Sequence, residues 1–257
     1  MRPVSLLISL FLACGSAAAA DYAQLPGGRF RSVLPEEGET STVPAFALRR
    51  TPVTRGEFAA FLARNPQWSK EAAPSLFVGA RYLDGNDANP GSADLPMTNV
   101  SWHAASAYCE SEGARLPTWH EWEFAAAADT TRRDARGDPA WRAQILAWYE
   151  SSNTGSASVG KHAANAWGVQ DMHGLIWEWV EDFNGLFVTT DSRNQGEQKT
   201  LETCGAAALS LGDRENYAVL MRVALLAALD ARDSMNTLGF RCARDLPSIT
   251  RTTGVTP

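Results

Sequence analysis

The chain has 257 residues, 45% of them hydrophobic, and a formal net charge of -6. That length and apolar content suit one large globular domain with a sizeable core and exclude a disordered chain. The acidic balance excludes the basic face that phosphate neutralisation requires, so no nucleic-acid partner is expected.

The first twenty residues have the layout of a secretory signal: Arg2, an apolar run over 4–13, and small residues ending Ala18-Ala19-Ala20 before Asp21. The expected division is a signal peptide over 1–20 and one domain over 21–257, in a periplasmic or secreted protein. The apolar run falls short of the ~20 residues a bilayer span requires, and no later segment comes near it, so no membrane span is expected. Cys14, in Leu12-Ala13-Cys14-Gly15, imitates a lipoprotein acylation site, although Phe11 stands where such sites prefer a small aliphatic residue. Without Cys14 the chain keeps Cys109, Cys204 and Cys242, which in an oxidising compartment suits one disulfide and one free thiol. Composition leaves open which two pair.

Alternating apolar positions over 22–33, broken at Pro26-Gly27-Gly28, predict a strand, a turn and a second strand, and 46–48 predicts another short strand. Thr54-Arg55-Gly56-Glu57 has capping-box spacing and opens a helix with Phe58, Phe61 and Leu62 on its apolar stripe. Ser101 opens a second helix that Gly113 stops. Thr118-Trp119-His120-Glu121 is another capping box, leading into Trp122, Phe124 and an alanine run. A helix is predicted over 140–149, with Trp141, Ile145, Leu146 and Tyr149 on one face. The stretch 174–180 reads as a strand with Trp177 and Trp179 on one face, and 216–229 is helical in composition. Strands at both ends around central helices predict an α+β fold.

Six segments then carry a resemblance. In order they are Thr51-Pro52-Val53-Thr54 with Phe58, Val100-Ser101-Trp102, Ala107-Tyr108-Cys109, and Gly113-Ala114-Arg115-Leu116-Pro117-Thr118 running into Glu121-Trp122-Glu123-Phe124-Ala125. They continue with Trp167-Gly168-Val169-Gln170-Asp171-Met172-His173-Gly174 into Trp177-Glu178-Trp179, and Asn236-Thr237-Leu238-Gly239-Phe240-Arg241-Cys242. Ordered and spaced in this way, they resemble the formylglycine-generating enzyme or sulfatase-modifying factor family across most of the mature chain. The resemblance implies a loop-rich α+β fold related to C-type lectins, with low regular secondary structure. It also implies a disulfide between Cys109 and Cys242. A second bridge found in some relatives would fall at Ala126 and Val223, where both cysteines are missing.

Enzymes of this family hold copper(I) on two thiolates five residues apart, soft ligands for a soft ion. Here the resemblance places those positions at Asp213 and Ala218, and no cysteine lies between Cys204 and Cys242. Formylglycine generation by the two-thiolate mechanism is therefore not expected. The groove would lie near Ser210, Asp213, Tyr217 and Arg222, with Cys204 as the remaining thiol, aided by Asp213 or Met221 if it holds copper; the alternative for Cys204 is a packing residue. Iron is the weaker option, because His103, His120, His162 and His173 lack paired helical spacing and read as surface or loop histidines.

By resemblance, calcium would take the Asp171 and Glu178 carboxylates and the carbonyls of Gly174 and Ile176. The alternative pairs Glu178 with an arginine beside Trp177 and Trp179. At the family's first calcium site Asn153 matches one ligand, but the following loop is shortened and the acidic ligand is missing. The tryptophans Trp102, Trp122, Trp177 and Trp179 read as core, and Arg132, Arg133 and Arg136 as a solvated face. The segment 213–222 is similar to the NirV-type branch associated with bacterial copper nitrite reductase, which implies an accessory or binding role for a periplasmic copper enzyme. The other reading is an oxidoreductase acting on an exported peptide or protein, as in the pyoverdine-maturation branch. Fold alone decides neither.

Overall fold

In the computed structural model of the protein, the described residues are 21–34, 40–86, 90–150, 156–186 and 217–247. The expected signal segment, Cys14, Asn153, Cys204, Ser210 and Asp213 lie outside them.

Strands β1 (Tyr22–Leu25) and β2 (Gly28–Phe30) flank the expected turn, yet they do not pair with each other. Gly27, at φ +66, explains the divergence: a Cβ there would lie 2.2 Å from the Val43 carbonyl oxygen, so only glycine fits this approach. The chain is thereby split between two sheets. β2 pairs antiparallel with β3 (Ser41–Val43). β1 pairs with β4 (Phe46–Arg49), which also pairs with β7 (Ala243–Asp245), so the two ends of the domain meet in one antiparallel sheet of order β1-β4-β7.

Both capping boxes form. Thr54 and Glu57 close the first turn of α1 (Arg55–Arg64), and Thr118 and Glu121 close that of α3 (Trp119–Ala126), each side chain satisfying a backbone donor that the helix start leaves open. Ser101 caps α2 (Trp102–Ser111), and Gly113 follows at φ +65. α4 runs over Pro139–Glu150 and α5 over Tyr217–Ala227, as composition predicts. No helix among the described residues is long and apolar enough to cross a membrane.

The strand expected over 174–180 shrinks to β5 (Trp177–Glu178), paired in parallel with β6 (Leu238–Gly239). Gly174, at φ +83, cannot continue a strand, and the preceding Asp171 is also left-handed at φ +57. The fold is α+β: short strands and helices joined by long loops that are tied by backbone bonds such as Val53 N–H to the Phe240 carbonyl and Met97 N–H to the Val53 carbonyl.

One core joins these parts. Phe58, Phe61, Tyr108 and Phe240 pack ring against ring beneath α1 and α2, and Trp119, Trp122 and Trp179 are fully buried, as expected of the tryptophans. Trp102 and Trp177 are only partly buried against the same core. Cys109 on α2 and Cys242 before β7 form a disulfide across a sequence separation of 133. Ala126 and Val223, where the second family bridge would fall, are apolar members of the core.

Candidate functional site

The parallel pairing of β5 with β6 places Trp177 opposite Leu238 and Glu178 opposite Gly239, which brings the Glu178 carboxylate to Arg241 two residues further on. Arg241 Nη2 donates to Glu178 Oε1 at 2.8 Å and its Nε donates to Oε2 at 2.8 Å, with both side chains fully buried. Trp122 Nε1 donates to the same Oε2 at 3.0 Å. The other Arg241 donors reach the carbonyls of Arg49, Arg50, Gln170 and Asp171. One guanidinium thereby ties β4, the 170–171 loop and β5 together, and its bidentate geometry is the strong form of such a pair.

Arg222 reaches this cluster from α5. It donates to the backbone carbonyl of Glu178, and its guanidinium lies 3.6 Å from the centroid of the Trp122 ring, a desolvated cation–π contact. Of the residues expected at the groove, it is the one whose side chain is described: the Tyr217 side chain, like Ser210, Asp213 and Cys204, is not. Ala218, where the resemblance puts the second copper position, is a buried methyl near the start of α5, and Met221 is 43% exposed.

His173 is buried, contrary to the surface reading. Its Nε2 is 2.8 Å from the Ala126 carbonyl, an arrangement in which the ring N–H donates, and its ring meets Trp122 and Trp141 edge-on. Burial pushes the imidazole down to about 4; the Ala126 bond and Glu178 oppose that shift, while Arg222 and Arg241 add to it. The ring is neutral near pH 7. Arg136 also departs from expectation: Arg132 and Arg133 are exposed, but Arg136 is buried over Phe30 and pairs with Asp134 at 2.7 Å and Glu123 at 3.5 Å. Burial raises the Glu123 carboxyl, which accepts from Ser32 Oγ, Val33 N–H and Trp119 Nε1.

Both carboxylates expected to bind calcium are engaged by other groups. Both Glu178 oxygens accept from Arg241 or Trp122, so its charge is already balanced. Both Asp171 oxygens are taken as well, one by Gly160 N–H at 2.5 Å and one by His162 Nδ1 at 2.7 Å. Gly174 is required by its backbone, because a Cβ there would stand 2.8 Å from Trp148 Cβ. Ile176 is a buried core side chain whose Cδ1 lies close to Gly239. In this arrangement neither expected carboxylate keeps an oxygen without a hydrogen-bond partner, so a calcium ion there would have to displace one of these contacts. Among the described residues no group of three or more His, Cys, Asp or Glu is placed to hold a metal.

Asp171 and His173 also border a cleft of about 480 Å³ that sequence reasoning missed. Its walls are α4, which contributes Trp141, Gln144 and Trp148, the turn at 128–132, and the segment around His162. Of the face predicted for α4, Ile145 is buried and Trp141 turns to the cleft, where Trp148, seven residues on and outside the predicted face, joins it. That i, i+7 tryptophan pair was the signal available in the sequence.

The sequence pattern described as "Sulfatase-modifying factor enzyme 1-like domain" matches residues 14–246. The formylglycine-generating enzyme of Mycobacterium tuberculosis is 30% identical over 62% of this chain and 73% of its own length. The bovine protein named "Inactive C-alpha-formylglycine-generating enzyme 2" is 27% identical over 93% of both chains. The solved structure of PvdO from Pseudomonas aeruginosa aligns with 88% of this chain and 94% of that one, at 20% identity and a TM-score of 0.45. The pattern match over 14–246 spans the three capped helices, the disulfide pair and the buried Glu178–Arg241 cluster, and this chain belongs to the family of sulfatase-modifying factor enzyme 1-like domains.

Proposed function

We propose that the chain is an exported, non-catalytic member of its family, an accessory or binding factor for a periplasmic copper enzyme of the nitrite-reductase type. The observation that carries the non-catalytic reading is the disposition of the cysteines. The sequence has four, and Cys109 and Cys242 are consumed in the disulfide, which leaves Cys14 in the expected leader and Cys204. A two-thiolate copper(I) centre cannot be assembled from one mature thiol, and the copper positions carry Asp213 and the buried methyl of Ala218. The relative whose printed name marks it inactive, matched over nearly its whole length, shows that the family includes a member so described. The accessory role rests on the NirV-type resemblance of residues 213–222.

The test uses the mature chain from residue 21. It is loaded with copper(I) under reducing conditions and incubated in air with a cysteine-containing sulfatase-motif peptide, and aldehyde formation is followed by mass spectrometry. The expected result is no aldehyde, together with saturable binding of a copper nitrite reductase. Turnover abolished by Cys204→Ala would replace this reading with that of an oxidoreductase acting on an exported peptide.

A further inference from the structure

We propose that the cleft beside α4 binds a neutral, ring-shaped polyhydroxy ligand, a saccharide of more than one unit, packed on Trp141 and Trp148 and hydrogen-bonded through His162 and Gln144. Nothing in this proposal depends on the accessory role. The cleft volume of about 480 Å³ lies within the range of small-molecule sites.

The charges of the lining select the ligand class. Arg132 is bound to Asp129 at 2.5 Å and to Asp138 at 2.8 Å. Asp129 also accepts from the N–H groups of Thr131 and Arg132, and Asp171 has both oxygens engaged. The ionic groups thus satisfy one another. A cationic ligand finds no uncommitted carboxylate among these residues, and an anionic one meets three aspartates against one arginine.

The remaining polar surface includes half-buried indoles, an imidazole and an amide. Asp171, fully buried, holds His162 by Nδ1, which fixes the ring and leaves Nε2 as the atom for a ligand. Gln144 is exposed at the cleft wall and makes no hydrogen bond with another described residue. Its amide both donates and accepts, matching a hydroxyl. The seven-residue spacing of Trp141 and Trp148 separates them by about 10 Å along the helix, which calls for a ligand longer than one ring. A purely aromatic ligand would cover the indoles but leave the amide and imidazole without partners, whereas a sugar presents apolar ring faces and hydroxyl edges together.

The experiment titrates the mature chain with cellobiose, maltose and chitobiose in turn, read by tryptophan fluorescence and by ligand-observed NMR. At least one should bind saturably. Gln144→Ala, at an exposed position that leaves the fold intact, should weaken that binding about 3- to 10-fold, the loss of one hydrogen bond. Trp148→Ala should weaken it by more than about 10-fold, with Trp148→Phe restoring part of it if the indole acts as a packing platform. The proposal is overturned if none of the three sugars binds, if binding is unchanged in both Gln144→Ala and Trp148→Ala, or if choline or benzoate binds where the sugars do not.

Discussion

Replacing Glu178 with glutamine probes the centre of the fold with almost no change of volume. The carboxylate accepts two bonds from Arg241 at 2.8 Å and one from Trp122 at 3.0 Å, and it is the negative partner of a fully buried guanidinium. Glutamine keeps one acceptor oxygen but turns an N–H₂ group toward the Arg241 donors, leaving a buried cation without its counter-charge. Breaking a buried pair from one side costs about 3–5 kcal/mol. A domain of this kind has about 5–15 kcal/mol in total. Urea denaturation followed by tryptophan fluorescence, with the disulfide intact, should show the midpoint falling by about 1–2 M at unchanged slope, taking about 2–3 kcal/mol per M as the slope. Added calcium should leave the wild-type midpoint where it is, because the carboxylate is already neutralised. A loss below about 1 kcal/mol, or a calcium-dependent rise that Glu178→Gln removes, would refute the counter-ion role.

Other outcomes follow from the same structure. His173 has its folded-state value depressed to about 4 by burial, against about 6.5 when unfolded. Its contribution is therefore complete above pH 6.5 and is lost as the pH falls to about 4, because the unfolded chain takes up the proton first; the loss amounts to about 3 kcal/mol. Denaturation midpoints measured from pH 7 to 4 should show a decline that is reduced in His173→Gln. The double variant Cys109→Ala/Cys242→Ala opens a cross-link with a sequence separation of 133 and should lose about 5 kcal/mol by the chain-entropy relation. Calorimetry of the variant would contradict this if its melting temperature matched that of the parent.

Much of the scaffold was legible in local signals. The two capping boxes, the Ser101 cap and the composition of α5 each act within a few residues, so sequence spacing suffices to find them. The strand over 174–180 was overextended because alternating tryptophans imitate strand periodicity; the left-handed backbone at Gly174 prevents it, and the two residues that do pair depend on the distant β6. Contacts across the chain were the harder part. Glu178 and Arg241 are 63 residues apart, and the sequence left Glu178 open between calcium and an arginine. Arg136 lies in a charge-rich run that reads as solvated, yet it reaches back to Glu123 and the Arg31 carbonyl. The cleft stayed hidden because Trp148 and His162 come together only once α4 packs against the loop that holds Asp171.

Copper(I) binding measures the central claim most directly. The mature chain and its Cys204→Ala variant would be titrated anaerobically with copper(I) against a competing chromophoric chelator, with bound metal quantified by mass spectrometry. The account predicts no stoichiometric copper that survives the chelator in either protein. One tightly held copper per chain, lost on replacing Cys204, would contradict the non-catalytic reading and establish a rebuilt metal centre.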